Sequence, residues 1–113
     1  MAFPVRRIGD SVGVVGVEGS MNQTAEGALM DAYNELAGAG AKTVILNFDR
    51  LDYMNSSGIG LLVTLLIRAN RQGLKLLAVG LSDHYKEIFN LTRLDEAIRI
   101  FPSESEAAAA VAA

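Results

Sequence analysis

Cysteine is absent from this 113-residue chain, and histidine occurs only once, as His84. Without cysteine there can be no disulfide framework, no thiolate zinc site and no cysteine nucleophile. With a single histidine besides, the residue types argue against a transition-metal site. Long hydrophobic runs are also missing. The longest, Ile59 to Ile67, is broken by Thr64 and flanked by Arg68 and Arg71, and it falls well short of the roughly 18 apolar residues a membrane span needs. Neither charge sign dominates: 10 Lys and Arg stand against 13 Asp and Glu, a net charge of −3. The signs are interspersed, so there is no electrostatic footprint for nucleic acid or an anionic membrane. Arg6-Arg7 is too short a basic patch to change that. The N-terminus, Met1 to Arg7, lacks the charged-then-apolar order of a signal peptide, and the expectation is a soluble cytoplasmic domain.

What the chain does have is apolar substance: half its residues are hydrophobic and 20% are charged. That composition suits one ordered domain, residues 1–113, with a core that needs no staple. Val5 to Ile8 and the β-branched stretch Ser11 to Val17 read as an N-terminal hairpin turning at Gly9-Asp10. The β signal stops between Glu18 and Gln23. Ala25 to Ala37 then has helical spacing, capped by Asn22 or Thr24 and stopped at Gly38. Lys42 to Phe48 lacks polar alternation, as a central strand covered on both faces does. Asp49 to Met54 reads as a connecting loop, and a helix follows from about Ser56 to Gln72, ended by Gly73. Leu74 to Val79 is a second buried strand, completing a right-handed βαβ unit. Ser82 caps a helix through Phe89 or Leu91, and Ala97 to Phe101 alternates like an edge strand. Ser103-Glu104-Ser105-Glu106 forms a capping box that opens an alanine-rich helix to the chain end; its small side chains predict fraying. The sum is a small α/β domain: a mixed sheet, an N-terminal hairpin, a central βαβ unit and about four helices.

The chemistry concentrates at Asn55-Ser56-Ser57-Gly58. In open α/β sheets functional loops lie beyond the carboxyl ends of parallel strands, and a serine opening a helix faces free N–H groups that suit a phosphate. An ordinary N-cap explains much of this motif. Yet Asn55, Ser56 and Ser57 are three successive residues able to cap, where one is enough. In the helix itself Ile59, Leu62, Val63 and Leu66 read as the core face, with Leu61 and Leu65 on the opposite side near Thr64 and Arg68. That second apolar face is either covered by further structure or a partner surface beside the serine.

Enzyme readings find little support. His84, beside Asp83, opens a different helix, and the nucleophile-elbow pattern would need glycine two residues before the serine, where Met54 or Asn55 stands. Gly38-Ala39-Gly40-Ala41-Lys42 lacks phosphate-loop spacing. The glycines at 13, 16 and 19 fall within or just after a strand pattern, unlike a dinucleotide fingerprint. Asp49 and Asp52 could touch a hard cation, but two loop carboxylates are ordinarily solvated. Neither catalytic residues nor a metal site are assigned.

The run Leu46-Asn47-Phe48-Asp49-Arg50-Leu51-Asp52-Tyr53-Met54-Asn55-Ser56-Ser57-Gly58-Ile59-Gly60 resembles the signature of STAS domains, specifically bacterial anti-sigma-factor antagonists. Gly73 to Leu76 and Ile88 to Leu94 are similar to the family's later strand and its helix-to-strand segment; Gly19 to Leu29 resembles its first loop and helix less closely. The resemblance implies a STAS-like fold and a module that binds an anti-sigma factor, itself a serine kinase of the GHKL ATPase type, so freeing a sigma factor. It implies that the kinase, using Mg-ATP, phosphorylates Ser56 and abolishes binding, and that a serine phosphatase restores it. Asn55, Ser57 and Gly58 would shape the phosphorylation loop; Asn22, Asp52, Leu61, Leu65 and Arg68 would meet the partner. The domain itself would need no cofactor. Two positions depart from the family pattern: Asn55 and Asn22 stand where its antagonists usually carry aspartate, and the first loop is one residue shorter. The departures motivate an alternative, a constitutive STAS scaffold or transporter accessory subunit. A further alternative makes Ser56 an acyl-transfer nucleophile.

Overall fold

Three β-branched or leucine-rich runs build the centre of the molecule, which is described by a computed structural model over residues 2–111. The strands are β1 (Val5–Arg7), β2 (Val12–Gly16), β3 (Gly19–Met21), β4 (Thr43–Asn47), β5 (Leu51–Met54), β6 (Lys75–Val79) and β7 (Arg99–Phe101). The helices are α1 (Glu26–Gly38), α2 (Ser56–Arg71), α3 (Asp83–Leu91), α4 (Leu94–Ala97) and α5 (Glu104–Val111), with a short 3-10 turn at Gln23–Ala25 before α1. Five strands form one sheet in the order β1-β2-β4-β6-β7. Among the described strands of this sheet the β1–β2 pairing is antiparallel and the others are parallel; Val14, Ile45 and Leu77 align across the parallel centre. The mixed sheet, the N-terminal hairpin and the βαβ unit β4-α2-β6 follow the sequence reading. The short α4 raises the α-helices to five among the described residues.

Because side chains alternate along a strand, the sheet has two apolar faces. Val15, Val44, Leu46, Leu76 and Ala78 point into the main core with Tyr33, Leu62, Leu65 and Phe89. Val14, Ile45, Leu77 and Val79 point the other way, where Ala107 of α5 is fully buried against them. α5 is helical through Val111, and the last residues of the expected helix, 112 and 113, lie outside the described residues. Small alanines let this helix lie close to the sheet. Its capping serine acts as read, Ser103 Oγ accepting the Glu106 N–H at 3.2 Å.

One correction concerns strands. Gly19–Met21 and Leu51–Met54, read as the end of a β signal and as a loop, pair in parallel as a separate two-stranded sheet. The pairing carries the chain from the carboxyl ends of β2 and β4 to the starts of α1 and α2.

A polar latch ties α5 to the hairpin. The Arg6 guanidinium donates to both oxygens of Glu104, and Asn47 Nδ2 donates to Glu104 Oε2 at 2.6 Å. The Arg6 hydrogen bond, seconded by Asn47, holds the Glu104 carboxyl below its ordinary pKa despite partial burial. A depressed carboxylate contributes stability that is complete above the ordinary glutamate value, about 4.3. The contribution disappears as pH falls through the lowered folded value. Urea unfolding should therefore find Glu104→Gln less stable at pH 7, by no more than about 1 kcal/mol for so exposed a pair. The gap should close as pH is lowered below the glutamate range.

Candidate functional site at the start of the central helix

Four backbone N–H groups at the start of any α-helix lack intrahelical partners, and α2 disposes of them unevenly. Asn55 is extended, at φ −87° and ψ −177°, and its Oδ1 accepts the Gly58 N–H at 2.9 Å. Its carbonyl accepts the Ile59 N–H at 3.1 Å. Ser56 and Ser57, the first two helical residues, therefore keep their N–H groups free of the helix ladder, and both side chains are exposed. Asparagine does here what a capping residue must, and it leaves the positive helix end to Ser56.

The turn is held by close packing. Gly58 is buried, and a Cβ built there would lie 2.5 Å from the Met21 carbonyl oxygen and 2.7 Å from Met54 Cγ. The same carbonyl accepts the Asn55 N–H at 3.3 Å. Across the turn, Tyr85 of α3 places its hydroxyl 2.8 Å from the Met54 N–H, in a buried contact. The first loop follows Met21 directly, so Asn22 comes next to this turn in the fold. Its Oδ1 is occupied in capping, accepting the Thr24 N–H at 2.9 Å.

The partner-facing assignment of Leu61 and Leu65 needs correction. Leu61 is 6% exposed and Leu65 fully buried; with Gly58, Leu62 and Ala69 they form the face of α2 that meets the core. Val63, placed in the core by the sequence reading, is 39% exposed, and Ile67 is 49% exposed. Steps of three and four residues share a helix face, so Ser56, Gly60, Val63 and Ile67 form one outward stripe. All four are exposed. The second apolar face is therefore real, but it carries different residues.

The remaining assigned residues scatter. Asp52 is exposed on β5 beside Tyr53, itself 58% exposed. Arg68 lies twelve residues along α2, about 18 Å from Ser56 at 1.5 Å per residue. Its Nη1 donates to Asn34 Oδ1 of α1 at 3.3 Å. It belongs to the flank facing α1. Among the described residues no histidine or carboxylate hydrogen-bonds to Ser56, and the His84 ring stands edge-on to Tyr85 at 5.0 Å. A nucleophile-and-base arrangement is not assembled. No helix among the described residues is long and apolar enough to cross a membrane.

A family model for the STAS domain matches residues 4–107. The chain belongs to the STAS domain family. Among curated proteins, this STAS domain is 30% identical over 61 residues to the anti-sigma-B factor antagonist of Staphylococcus aureus, strain NCTC 8325. The match covers 54% of this chain and 56% of that protein, so the chain spans about half the length of the curated relatives it matches. Among solved structures, the Bacillus cell fate determinant SpoIIAA in its phosphorylated form superposes with a TM-score of 0.74 at 22% identity, over 97% of this chain and 99% of that one. An anti-sigma factor antagonist from Mycobacterium paratuberculosis gives a TM-score of 0.79 at 20% identity, over 97% and 92% of the two chains. At such identities these likenesses establish the shared fold.

Sequence reasoning missed two groups that shape the STAS domain's central turn, the Met21 carbonyl and the Tyr85 hydroxyl. The first is backbone and has no residue signal. The second was within reach, since a tyrosine two to three residues into a helix beyond Ser82 would be asked where its hydroxyl goes when buried.

Proposed function

We propose that this STAS domain is an anti-sigma-factor antagonist, a binding module switched off by phosphorylation of Ser56. The observation that carries the reading is the exposed Ser56 hydroxyl at the free N-terminus of the 16-residue α2, heading the stripe of Gly60, Val63 and Ile67. The partner is an anti-sigma factor that is itself a GHKL-type serine kinase and uses Mg-ATP; a serine phosphatase reverses its action. The module supplies binding surface, and the chemistry belongs to the partners.

The physics of the turn supports a switch. A phosphate adds roughly −1.5 to −2 charges near neutral pH. At α2 that charge meets the helix dipole and the unused Ser56 and Ser57 N–H groups, so the domain can hold it without refolding. A partner seated on Val63 and Ile67 gains from their burial, but it would have to desolvate the phosphate at the end of the same stripe. Gly60 fits this use: a Cβ there meets nothing within 4 Å, so the fold does not require glycine. Its bare backbone leaves the middle of the stripe flat.

The test is phosphorylation of the intact protein. Incubation with the cognate kinase and Mg-ATP should add one phosphate, located to Ser56 by fragment mass, and Ser56→Ala should add none. Stable binding with Ser56 unmodified after full ATP turnover would remove the switch.

A further inference from the structure

We propose that Tyr85 is a positioning residue for Ser56, its hydroxyl fixing the backbone from which the phosphoacceptor turn springs. The inference rests on the reading of Ser56 as the modified serine. Its starting point is that β5 has a neighbour on one side only, β3. Successive N–H groups along a strand point to opposite sides. The Asn55 N–H points to β3, where the Met21 carbonyl accepts it at 3.3 Å. The Met54 N–H consequently points away from β3, into buried space with no strand to receive it. An unpaired buried N–H is costly. Tyr85 Oη accepts it at 2.8 Å and so takes the place of the missing strand.

The hydroxyl is itself firmly placed. Tyr85 is only 8% exposed, its N–H is accepted by Ser82 Oγ at 3.3 Å, and the His84 ring lies edge-on against it. From Met54 the constraint passes forward in two ways. Ser56 is two residues along the chain, and the Met54 side chain packs where a Gly58 Cβ would stand. The turn is thus gripped from β3 on one side and from α3 on the other. A kinase that must align a serine hydroxyl with a phosphoryl group gains from a turn already held in place.

Tyr85→Phe removes the hydroxyl and keeps the ring. Amide hydrogen exchange should quicken at least tenfold at Met54 and Asn55, measured against the amides of Leu62 and Val79. With the kinase that phosphorylates the wild-type chain, kcat should fall roughly tenfold while KM for the domain stays within about twofold. Phe89→Leu is the control: Phe89 packs edge-on against Phe48, so shortening it costs stability in the same helix while the Tyr85 hydroxyl stays in place. It should lower the melting temperature without moving either readout. Unchanged exchange at Met54 in Tyr85→Phe overturns the proposal. So does faster exchange with unaltered kcat, or an equal kcat loss in Phe89→Leu. If no kinase phosphorylates the wild-type chain, the switch reading falls by itself, and exchange at Met54 still decides whether Tyr85 holds the turn.

Discussion

Replacing Gly58 by alanine should lower the melting temperature by roughly 10 °C, a loss of about 2–3 kcal/mol for a domain of this size. The new methyl group would sit 2.5 Å from the Met21 carbonyl oxygen and 3.2 Å from its carbon. Met54 Cγ, at 2.7 Å, can swing aside; the carbonyl cannot, because it accepts the Asn55 N–H and belongs to the β3–β5 ladder. Relief requires the first turn of α2 to lift away from β3. Alanine's better helix propensity, about 1 kcal/mol, offsets only part of that cost. Gly60→Ala, two residues on with open space around it, should do the reverse and raise the melting temperature by a few degrees. Circular dichroism melts of the two variants check both signs at once. A Gly58→Ala protein as stable as wild type would mean that β3 does not constrain the turn.

Under the proposed function, Ser56→Asp should weaken capture of the anti-sigma partner about a hundredfold, equivalent to about 2.8 kcal/mol, while Ser56→Ala binds as wild type does. The aspartate carries less charge than a phosphate, but it stands on the same exposed stripe as Val63 and Ile67 and must be desolvated on docking. The fold should tolerate it, because an acidic group in the first turn suits the dipole of α2. Calorimetric titration of the three forms separates the possibilities. Equal affinities for Asp and Ala would make the domain a constitutive scaffold.

Legibility in the sequence followed the density of local signal. Val12 to Val17, Thr43 to Phe48 and Leu74 to Val79 announce themselves, since β-branched and leucine runs of that length leave few other options. The β3–β5 pair was hidden for the opposite reason. Gly-Ser-Met and Leu-Asp-Tyr-Met carry little β propensity, and the ladder between them depends on tertiary placement. On α2 the apolar residues cover so much of the circumference that a wheel does not select the buried side. The buried side is the arc of Gly58, Leu61, Leu62, Leu65 and Ala69, and small size does not single it out, since Gly60 is exposed on the other side. Choosing the arc Ile59, Leu62, Val63 and Leu66 by spacing turned the helix by about one residue, which put Val63 in the core and left Leu61 and Leu65 outside it. The place of Ser56 at the first turn of α2 was legible, because Asn55-Ser56-Ser57 is a run of cap-competent residues ahead of an apolar helix.

The Asn55 cap bears on how the proposed switch keeps time. Its side chain closes the helix on Gly58, and the carbonyl of Met21 secures the strand side, with no part assigned to a phosphate in either contact. Under the proposed function the marked and unmarked proteins therefore share one shape, and nothing has to relax after the mark is removed. The domain's memory of a signal would reside in a single ester bond. Its duration would be set by the phosphatase, so a cell could lengthen or shorten the response by changing the amount of that enzyme alone.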